Sequence, residues 1–324
     1  MRAMLCRRHG PPETLVLEDI PSLKPGRGEV VVQVKAAGVN FHDTLIIQNR
    51  YQHKPELPFS PGADMAGTVK EVGVGVRGFK PGDRVLGLLR FGGYAEEAIV
   101  PVDRLAALPA NVDFVDAAAF GLPYTTSYYA LKNCARLAPG ETLLVLGAAG
   151  GIGAAAVQLG SVMGARVIAC ASSAEKLEIC RRQGAGEVIN YQTEDLRDAV
   201  RRLTDGHGVD AVCDPVGGKL AESALRCMAW QGRYLVIGFT SGEITRVALN
   251  ITLLKGCSIV GVSRGQFMHH EPEKSRGNID ELIAWLAAGK LKPVITARYR
   301  LDDARDALND MMQRKIQGKA VLLM

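Results

Sequence analysis

The stretch Leu143-Leu144-Val145-Leu146-Gly147-Ala148-Ala149-Gly150-Gly151-Ile152-Gly153 constrains this chain more than any other. Its apolar start fits a strand buried on both faces, small residues follow, and Ala154–Met163 then has the texture of a helix. Strand, small-residue turn and helix in that order make a dinucleotide-type phosphate cradle. Glycine lets the backbone approach a pyrophosphate, and the helix N-terminus meets the negative charge. Ala148 stands where a G-x-G-x-x-G pattern has its first glycine, so the flanking strand and helix carry the assignment rather than the pattern alone. The expected cradle is Ala149, Gly150, Gly151, Ile152 and Gly153.

The same rhythm continues along the chain. Apolar runs at Leu143–Leu146, Arg166–Ala171, Glu187–Ile189, Val209–Cys213, Arg233–Ile237 and Ser258–Val262 alternate with helix-like segments, which implies an α/β doubly wound parallel sheet. Upstream, Glu29–Ala37 alternates and is rich in Val, and with Thr68–Val72, Arg84–Leu88 and Ala98–Val100 it reads as short strands. Pro-Gly pairs at Pro25-Gly26, Pro61-Gly62 and Pro81-Gly82 mark turns, so the first 120 or so residues are mostly β. A polar segment from Gln266 to Asn278, a helix from Ile279 to Ala288 and a strand at Lys319–Leu323 close the chain. These residues are too few for a third domain and are expected to rejoin the first. The expected division is residues 1–121 with 263–324 in a β-rich domain, and 122–262 in the doubly wound one.

Composition removes several classes. With 47% hydrophobic and 23% charged residues in 324, the chain is neither disordered nor fibrous, and its 36 glycines exceed the usual share of about 7%. The net charge is +5 and the basic residues are dispersed, so nucleic acid is not expected as a partner. No apolar run reaches the length of a membrane helix, and the opening residues lack the apolar core of a signal peptide. The expectation is a cytoplasmic protein that uses no membrane. Seven scattered cysteines without a Cys-x-x-Cys pair argue against a disulfide scaffold or a zinc knuckle, and Cys170 and Cys213 fall inside apolar strands.

The end of the second Rossmann strand chooses the cofactor, because NAD-binding loops place an acid there for the ribose hydroxyls. This chain has Ser172, Ser173 and, one turn on, Lys176. Without a carboxylate to repel a 2′-phosphate, and with hydroxyls and an ammonium to meet it, NADPH is expected over NADH. Taken singly, Ser172 is equally a helix N-cap and Lys176 a solvated side chain.

Ala37-Gly38-Val39-Asn40-Phe41-His42-Asp43, Leu57 to Gly67, Ala148 to Gly153, Val188-Ile189-Asn190-Tyr191 and Gly318-Lys319-Ala320-Val321-Leu322 occur in an order and spacing that resemble the zinc-independent quinone oxidoreductases of the medium-chain dehydrogenase/reductase superfamily. The resemblance spans essentially the whole chain. It implies a GroES-like catalytic domain interrupted by a Rossmann domain, with an active-site cleft between them. Zinc-dependent relatives carry Cys where this chain has Asn40 and His where it has Ala63, and an amide and a methyl do not replace a thiolate and an imidazole. No metal is therefore expected. Without a Lewis acid to hold an alkoxide, the expected acceptor is a quinone or an α,β-unsaturated carbonyl, whose own conjugated oxygen takes the charge.

The resemblance further implies site residues. Asn40 would bond around the nicotinamide ribose or the acceptor oxygen, Asp43 would orient that network, and Tyr51 would polarise the acceptor oxygen or protonate an enolate. Thr126 and Tyr129 would meet the nicotinamide end and Tyr191 the adenosine phosphate end. Gly238 and Phe239 follow the fifth Rossmann strand, Val262 and Arg264 the sixth, where doubly wound sheets bind ligands. Arg314 aligns with a cofactor-side Arg in some relatives. His42 reads as a structural histidine, and the His269-His270 pair as a surface feature. Relatives are often dimers assembled at the edge of the Rossmann sheet, so a homodimer is expected. Two alternatives remain at this stage: a dedicated enone, haloacrylate or acryloyl-type reductase, and a non-catalytic NADPH-binding protein.

Overall fold

A computed structural model describes all residues, 1–324. In chain order the elements are β1 (Arg2–Cys6), β2 (Leu15–Asp19), β3 (Glu29–Val39), α1 (Phe41–Ile46), β4 (Asp64–Val72), β5 (Arg84–Leu88), β6 (Glu97–Pro101) and β7 (Leu105–Ala107). Then follow α2 (Phe114–Tyr128), β8 (Thr142–Val145), α3 (Gly151–Val162), β9 (Arg166–Ala171), α4 (Ala174–Arg182), β10 (Glu187–Asn190) and α5 (Leu196–Leu203). The rest are β11 (Val209–Asp214), α6 (Lys219–Arg226), β12 (Met228–Val236), α7 (Asn250–Lys255), β13 (Ser258–Gly261), α8 (Arg264–His270), α9 (Pro272–Ala287), β14 (Ile295–Arg300), α10 (Ala304–Met312) and β15 (Lys319–Leu323).

Two compact units result, Met1–Leu122 with Ile283–Met324, and Pro123–Leu282. The return to the first unit thus falls at Ile283 rather than at residue 263. The physical reason is packing: the segment expected to be a polar connection forms α8 and the start of α9. Phe267 of α8 stacks on Tyr129 with ring centroids 4.1 Å apart, and Asn278 of α9 donates to Asn133 at 2.7 Å, which ties both helices to the second unit.

In the first unit a seven-stranded sheet runs β14-β15-β3-β4-β5-β7, with β6 also paired to β3. It is antiparallel apart from the β14–β15 pair. Val30, Val32, Val34, Ala37 and Val39 of β3 enter its core with Met65, Val85, Ala98 and Leu322. β3 ends at Val39, and Asn40 turns the chain directly into α1 as its N-cap.

The second unit has the strand order β10-β9-β8-β11-β12-β13, parallel throughout. In terms of its own six strands this is 3-2-1-4-5-6, the doubly wound order, with its switch point between β8 and β11. All four residues of β8 are buried, as continuous apolar strands covered on both faces must be. Gly160 lets α3 approach closely, since a Cβ there would lie 2.7 Å from Leu143 Cδ2. Cys170 and Cys213 are fully buried in this core, and all seven cysteines are free.

Candidate active site

The cradle residues stand where β8 hands over to α3. Gly147 turns the chain with φ 57°, and Gly150 is the N-cap of α3 in extended conformation. A Cβ on Gly153 would lie 2.2 Å from Gly147 O and 2.7 Å from Ala148 Cα, so only glycine lets the first turn of α3 sit against the loop. A Cβ on Gly150 would meet nothing nearer than Gly147 O at 3.4 Å, and Gly150 is exposed. The loop therefore keeps open room in front of a helix N-terminus, which is what a pyrophosphate needs. Ser127 of α2 donates to Ile152 O at 3.0 Å and braces that turn from behind.

At the tip of β9 the hydroxyls divide their work. Ser173 is the N-cap of α4 and accepts from the Lys176 N–H at 3.3 Å, whereas Ser172 accepts from the Lys176 ammonium at 3.2 Å. The capping role considered for Ser172 thus belongs to Ser173. Ser172 and Lys176 form a preassembled hydroxyl-ammonium pair, and Glu175 is exposed in the first turn of α4.

Because the sheet is parallel, the segments following β8, β9, β10, β12 and β13 lie along one edge of it. Ala149–Gly153, Ser172–Lys176, Tyr191, Gly238–Phe239 and Val262 belong to those segments. Tyr191 continues the ladder by donating its N–H to Ala171 O at 3.3 Å, and Val262 does so to Val236 O at 2.9 Å. Phe239 is exposed. Arg264 Nη1 contacts Met268 Sδ at 3.3 Å. Thr126 is buried, and Tyr129 lies at the start of a π-helical turn, Tyr129–Cys134, with its hydroxyl pushed up to about 12 by burial. Such turns recur at functional sites.

The sequence reading named the fourth strand, Val209–Cys213, but not the acid that ends it. Asp214 ends β11 and is buried; its Oδ1 accepts from the N–H groups of Val216 (2.7 Å) and Gly217 (2.8 Å), and its Oδ2 from the Tyr234 hydroxyl (2.5 Å). Its main-chain oxygen accepts from Ile237 and Gly238, which fixes the turn carrying Phe239. The available signal was an acid at the end of an apolar strand just before a Gly-Gly pair.

In the first unit, Asn40 and Asp43 form the centre of a buried polar network. Asp43 is fully buried and collects four donors: the Asn40 N–H (2.9 Å) and the Tyr94 hydroxyl (2.8 Å) on Oδ2, the Gly62 N–H (3.2 Å) and His42 Nδ1 (3.3 Å) on Oδ1. Burial and the Asp43 carboxylate push the Tyr94 hydroxyl well up, so it stays a donor. The Asn40 amide donates to Asp64 Oδ1 at 2.7 Å and to Gly38 O at 3.3 Å, and its Oδ1 accepts from the buried Lys319 ammonium at 2.6 Å. Asp64 Oδ2 accepts from the Leu122 N–H at 2.7 Å, and Lys319 also donates to Val39 O at 2.8 Å. Asp64, Tyr94 and Lys319 were not singled out from sequence, although a lysine opening the apolar strand Lys319–Leu323 was a visible anomaly.

Tyr51 is half-buried and meets the His42 ring edge-on, with centroids 4.2 Å apart. His42 is therefore held between Asp43 and Tyr51. Arg314 is exposed at φ 58° just beyond α10, in the first unit and apart from the Asn40 network. His269 and His270 are exposed near the end of α8.

Residues 26–110 match the alcohol dehydrogenase GroES-like domain family, and residues 151–287 the zinc-binding dehydrogenase family. The residues here do not fit the metal in the second description. Asn40 Oδ1 is occupied by an ammonium, its amide nitrogen by a carboxylate, and Ala63 is a buried methyl. Over the described residues, no group of three or more His, Cys, Asp or Glu side chains is arranged to hold a metal ion. The chain is 43% identical to quinone oxidoreductase-like protein 2 homolog of Nematostella vectensis over 99% of its own length and 88% of that protein. It is 35% identical to the quinone oxidoreductase of Rattus norvegicus over 100% of this chain and 98% of the relative. Its fold superposes on the Escherichia coli quinone oxidoreductase crystallised with NADPH with a TM-score of 0.94, at 33% identity and full coverage of both chains. A GroES-like unit interrupted by a Rossmann unit, matched from end to end by such relatives, is the mark of the medium-chain dehydrogenase/reductases, and this chain belongs to their quinone oxidoreductase family.

Proposed function

We propose that this chain is an NADPH-dependent oxidoreductase that reduces quinones and related α,β-unsaturated carbonyl compounds without a metal. The observation that carries this reading is the open glycine cradle at the start of α3 combined with the Ser172–Lys176 pair at the next strand tip. Bound NADPH supplies a hydride, so that quinone, NADPH and one proton give hydroquinone and NADP⁺. The chain's own work is to bind, orient and exclude water. Gly150, Gly151, Ile152 and Gly153 offer main-chain N–H groups to the pyrophosphate with Ala149 beside them, and Ser172 and Lys176 meet the 2′-phosphate. Ser173 shapes that turn as a cap. Tyr191, Gly238, Phe239, Val262 and Arg264 border the dinucleotide along the sheet edge, and Thr126 and Tyr129 serve its nicotinamide end. Arg314 adds a positive charge for the cofactor. Asn40 contacts the reactants, Asp43 holds it in place, and Tyr51 polarises the acceptor oxygen or delivers a proton.

The test is an acceptor screen followed by loss of NADPH absorbance. Turnover with benzoquinones or naphthoquinones is expected; turnover with enones alone would mark a dedicated alkene reductase. NADPH binding without any oxidation would leave a non-catalytic binder and overturn the proposal. Cofactor choice is tested separately. Lys176→Glu is expected to weaken NADPH binding about 10- to 100-fold, by removing one charge-assisted contact and adding a repulsive charge, while NADH binding changes little. Equal effects on both would remove the role given to Lys176.

Two further features complete the proposal. The chain pairs with a second copy at the free edge of β13, which bonds only to β12. Ile259 on that strand is exposed, and Trp230, Leu253 and Leu254 of the same unit are 73%, 81% and 75% exposed, which is apolar surface of a kind that partners cover. Sedimentation is expected to give twice the chain mass for the wild type and a single chain for Ile259→Arg with Leu253→Glu. An unchanged monomer in both would discard the dimer. No helix is long and apolar enough to cross a membrane. Seven free thiols are compatible with a reducing compartment and support placing the protein in the cytoplasm.

A further inference from the structure

We infer that Asp214 is a positioning residue of the cofactor site: it holds the segments after β11 and β12 together as one lip, against which the nicotinamide riboside half of the dinucleotide rests. The inference depends on the reading of this chain as an NADPH-binding reductase, and every residue it uses belongs to the second unit.

Strand order decides which half goes where. The glycine cradle follows β8, and the Ser172–Lys176 pair follows β9 on one side of it. A 2′-phosphate on that pair leaves the rest of the dinucleotide to cross the switch point toward β11 and β12. There Asp214 is 3% exposed, and its side chain takes three neutral donors: the Val216 and Gly217 N–H groups at 2.7 and 2.8 Å on Oδ1, and the Tyr234 hydroxyl at 2.5 Å on Oδ2. Its main-chain oxygen accepts from the Ile237 and Gly238 N–H groups at 3.0 and 3.3 Å. One residue thereby sets the exit turns of two neighbouring strands.

Those turns are fastened to each other and to the cradle. Thr240 N–H donates to Pro215 O at 3.2 Å, and Ser241 N–H to Val216 O at 2.9 Å. The Phe239 ring lies against Gly217, where a Cβ would come within 2.7 Å of its Cδ1. On the other side Val216 closes on the cradle, since a Cβ at Gly147 would lie 2.7 Å from Val216 Cγ2. Tyr234, Asp214, Val216 and Gly147 thus make a continuous run of contacts from inside the sheet to the turn that precedes the cradle. A carboxylate suits this task because it accepts from several donors at once. Alanine would strand those donors, and the lip would settle elsewhere to satisfy them.

The experiment compares wild type, Asp214→Ala, Asp214→Asn and Val216→Ala with two ligands: NADPH, and 2′,5′-ADP, which carries the 2′-phosphate and lacks the nicotinamide riboside. Dissociation constants are read by calorimetry on proteins whose circular dichroism matches wild type. Asp214→Ala is expected to weaken NADPH binding about 10-fold, the scale of hydrogen bonds to a charged group, with 2′,5′-ADP within about 3-fold. Asp214→Asn keeps an acceptor for the two N–H groups and turns an N–H toward the Tyr234 oxygen, so NADPH affinity is expected within about 3-fold of wild type. Val216→Ala leaves the hydrogen bonds in place and is expected to weaken NADPH about 4-fold, the scale of one buried methylene, without changing 2′,5′-ADP binding. Equal losses of both ligands in Asp214→Ala would mark a residue that only keeps the unit folded and would overturn the inference, as would an Asp214→Asn protein that binds NADPH no better. Should Asp214→Ala fail to fold, the other two variants still decide, because unchanged NADPH affinity in Val216→Ala overturns the inference by itself. A wild type that binds neither ligand defeats the functional proposal; a wild type that binds both, no more tightly than any variant, defeats only this inference.

Discussion

Gly153→Val is expected to cost the second unit its fold, whereas Gly150→Val is expected to cost only its cofactor. The two positions sit three residues apart in the same loop, yet what a side chain meets differs completely. At Gly153 even a Cβ would press to 2.2 Å from Gly147 O and 2.7 Å from Ala148 Cα, both main-chain atoms that cannot yield without moving β8 or α3. Displacing either disturbs a core where β8 is entirely buried, and losses beyond about 4 kcal/mol are the scale of such disruptions. At Gly150 the nearest atom is 3.4 Å away and the φ of −88° suits any residue. Valine there fits the protein and fills the room the pyrophosphate requires. Circular dichroism with a urea titration measures the first effect, NADPH fluorescence the second. A stable Gly153→Val protein, or a Gly150→Val protein with normal NADPH affinity, would show that the loop is not the cradle described.

Asp43→Ala is expected to destabilise the first unit by about 3–5 kcal/mol, since removing one member of a fully buried polar network strands the others. Four donors converge on this carboxylate: the Asn40 N–H, the Gly62 N–H, the Tyr94 hydroxyl and His42 Nδ1. Tyr94→Phe removes a single neutral donor and is expected to cost about 1 kcal/mol. Unfolding in urea should rank the two variants in that order, and an Asp43→Ala protein within about 1 kcal/mol of wild type would make the network incidental.

Much of this arrangement was legible in the sequence, and the reason is periodicity. Buried parallel strands are near-continuous apolar runs, so β9 was read with its observed bounds and the other five strands of the doubly wound sheet were located to within a few residues at most ends. Arg84–Leu88 and Lys319–Leu323 were read equally well. The segment from Gln266 to Asn278 was not, because Phe267 is a single apolar residue among polar ones and its helix is held by stacking on Tyr129, a contact far away in sequence. The site followed the same division. The glycine loop and the Ser172–Lys176 pair announce themselves by local chemistry. Asp64, Tyr94, Lys319, Asp214 and Tyr234 act through partners on other strands: Lys319 meets Asn40 across the β15–β3 pair, 279 residues away in sequence.

The distribution of sulfur has a practical consequence. Cys170, Cys180, Cys213 and Cys227 are buried in the Rossmann unit, and Cys6 is the one buried thiol of the other, while burial pushes the pKa of each thiol up and suppresses the reactive thiolate. Alkylation of these five sulfurs thus waits on opening of the surrounding core. Mass spectrometry of peptides from a timed labelling reaction would report how fast each half of the molecule breathes, with no engineered probe.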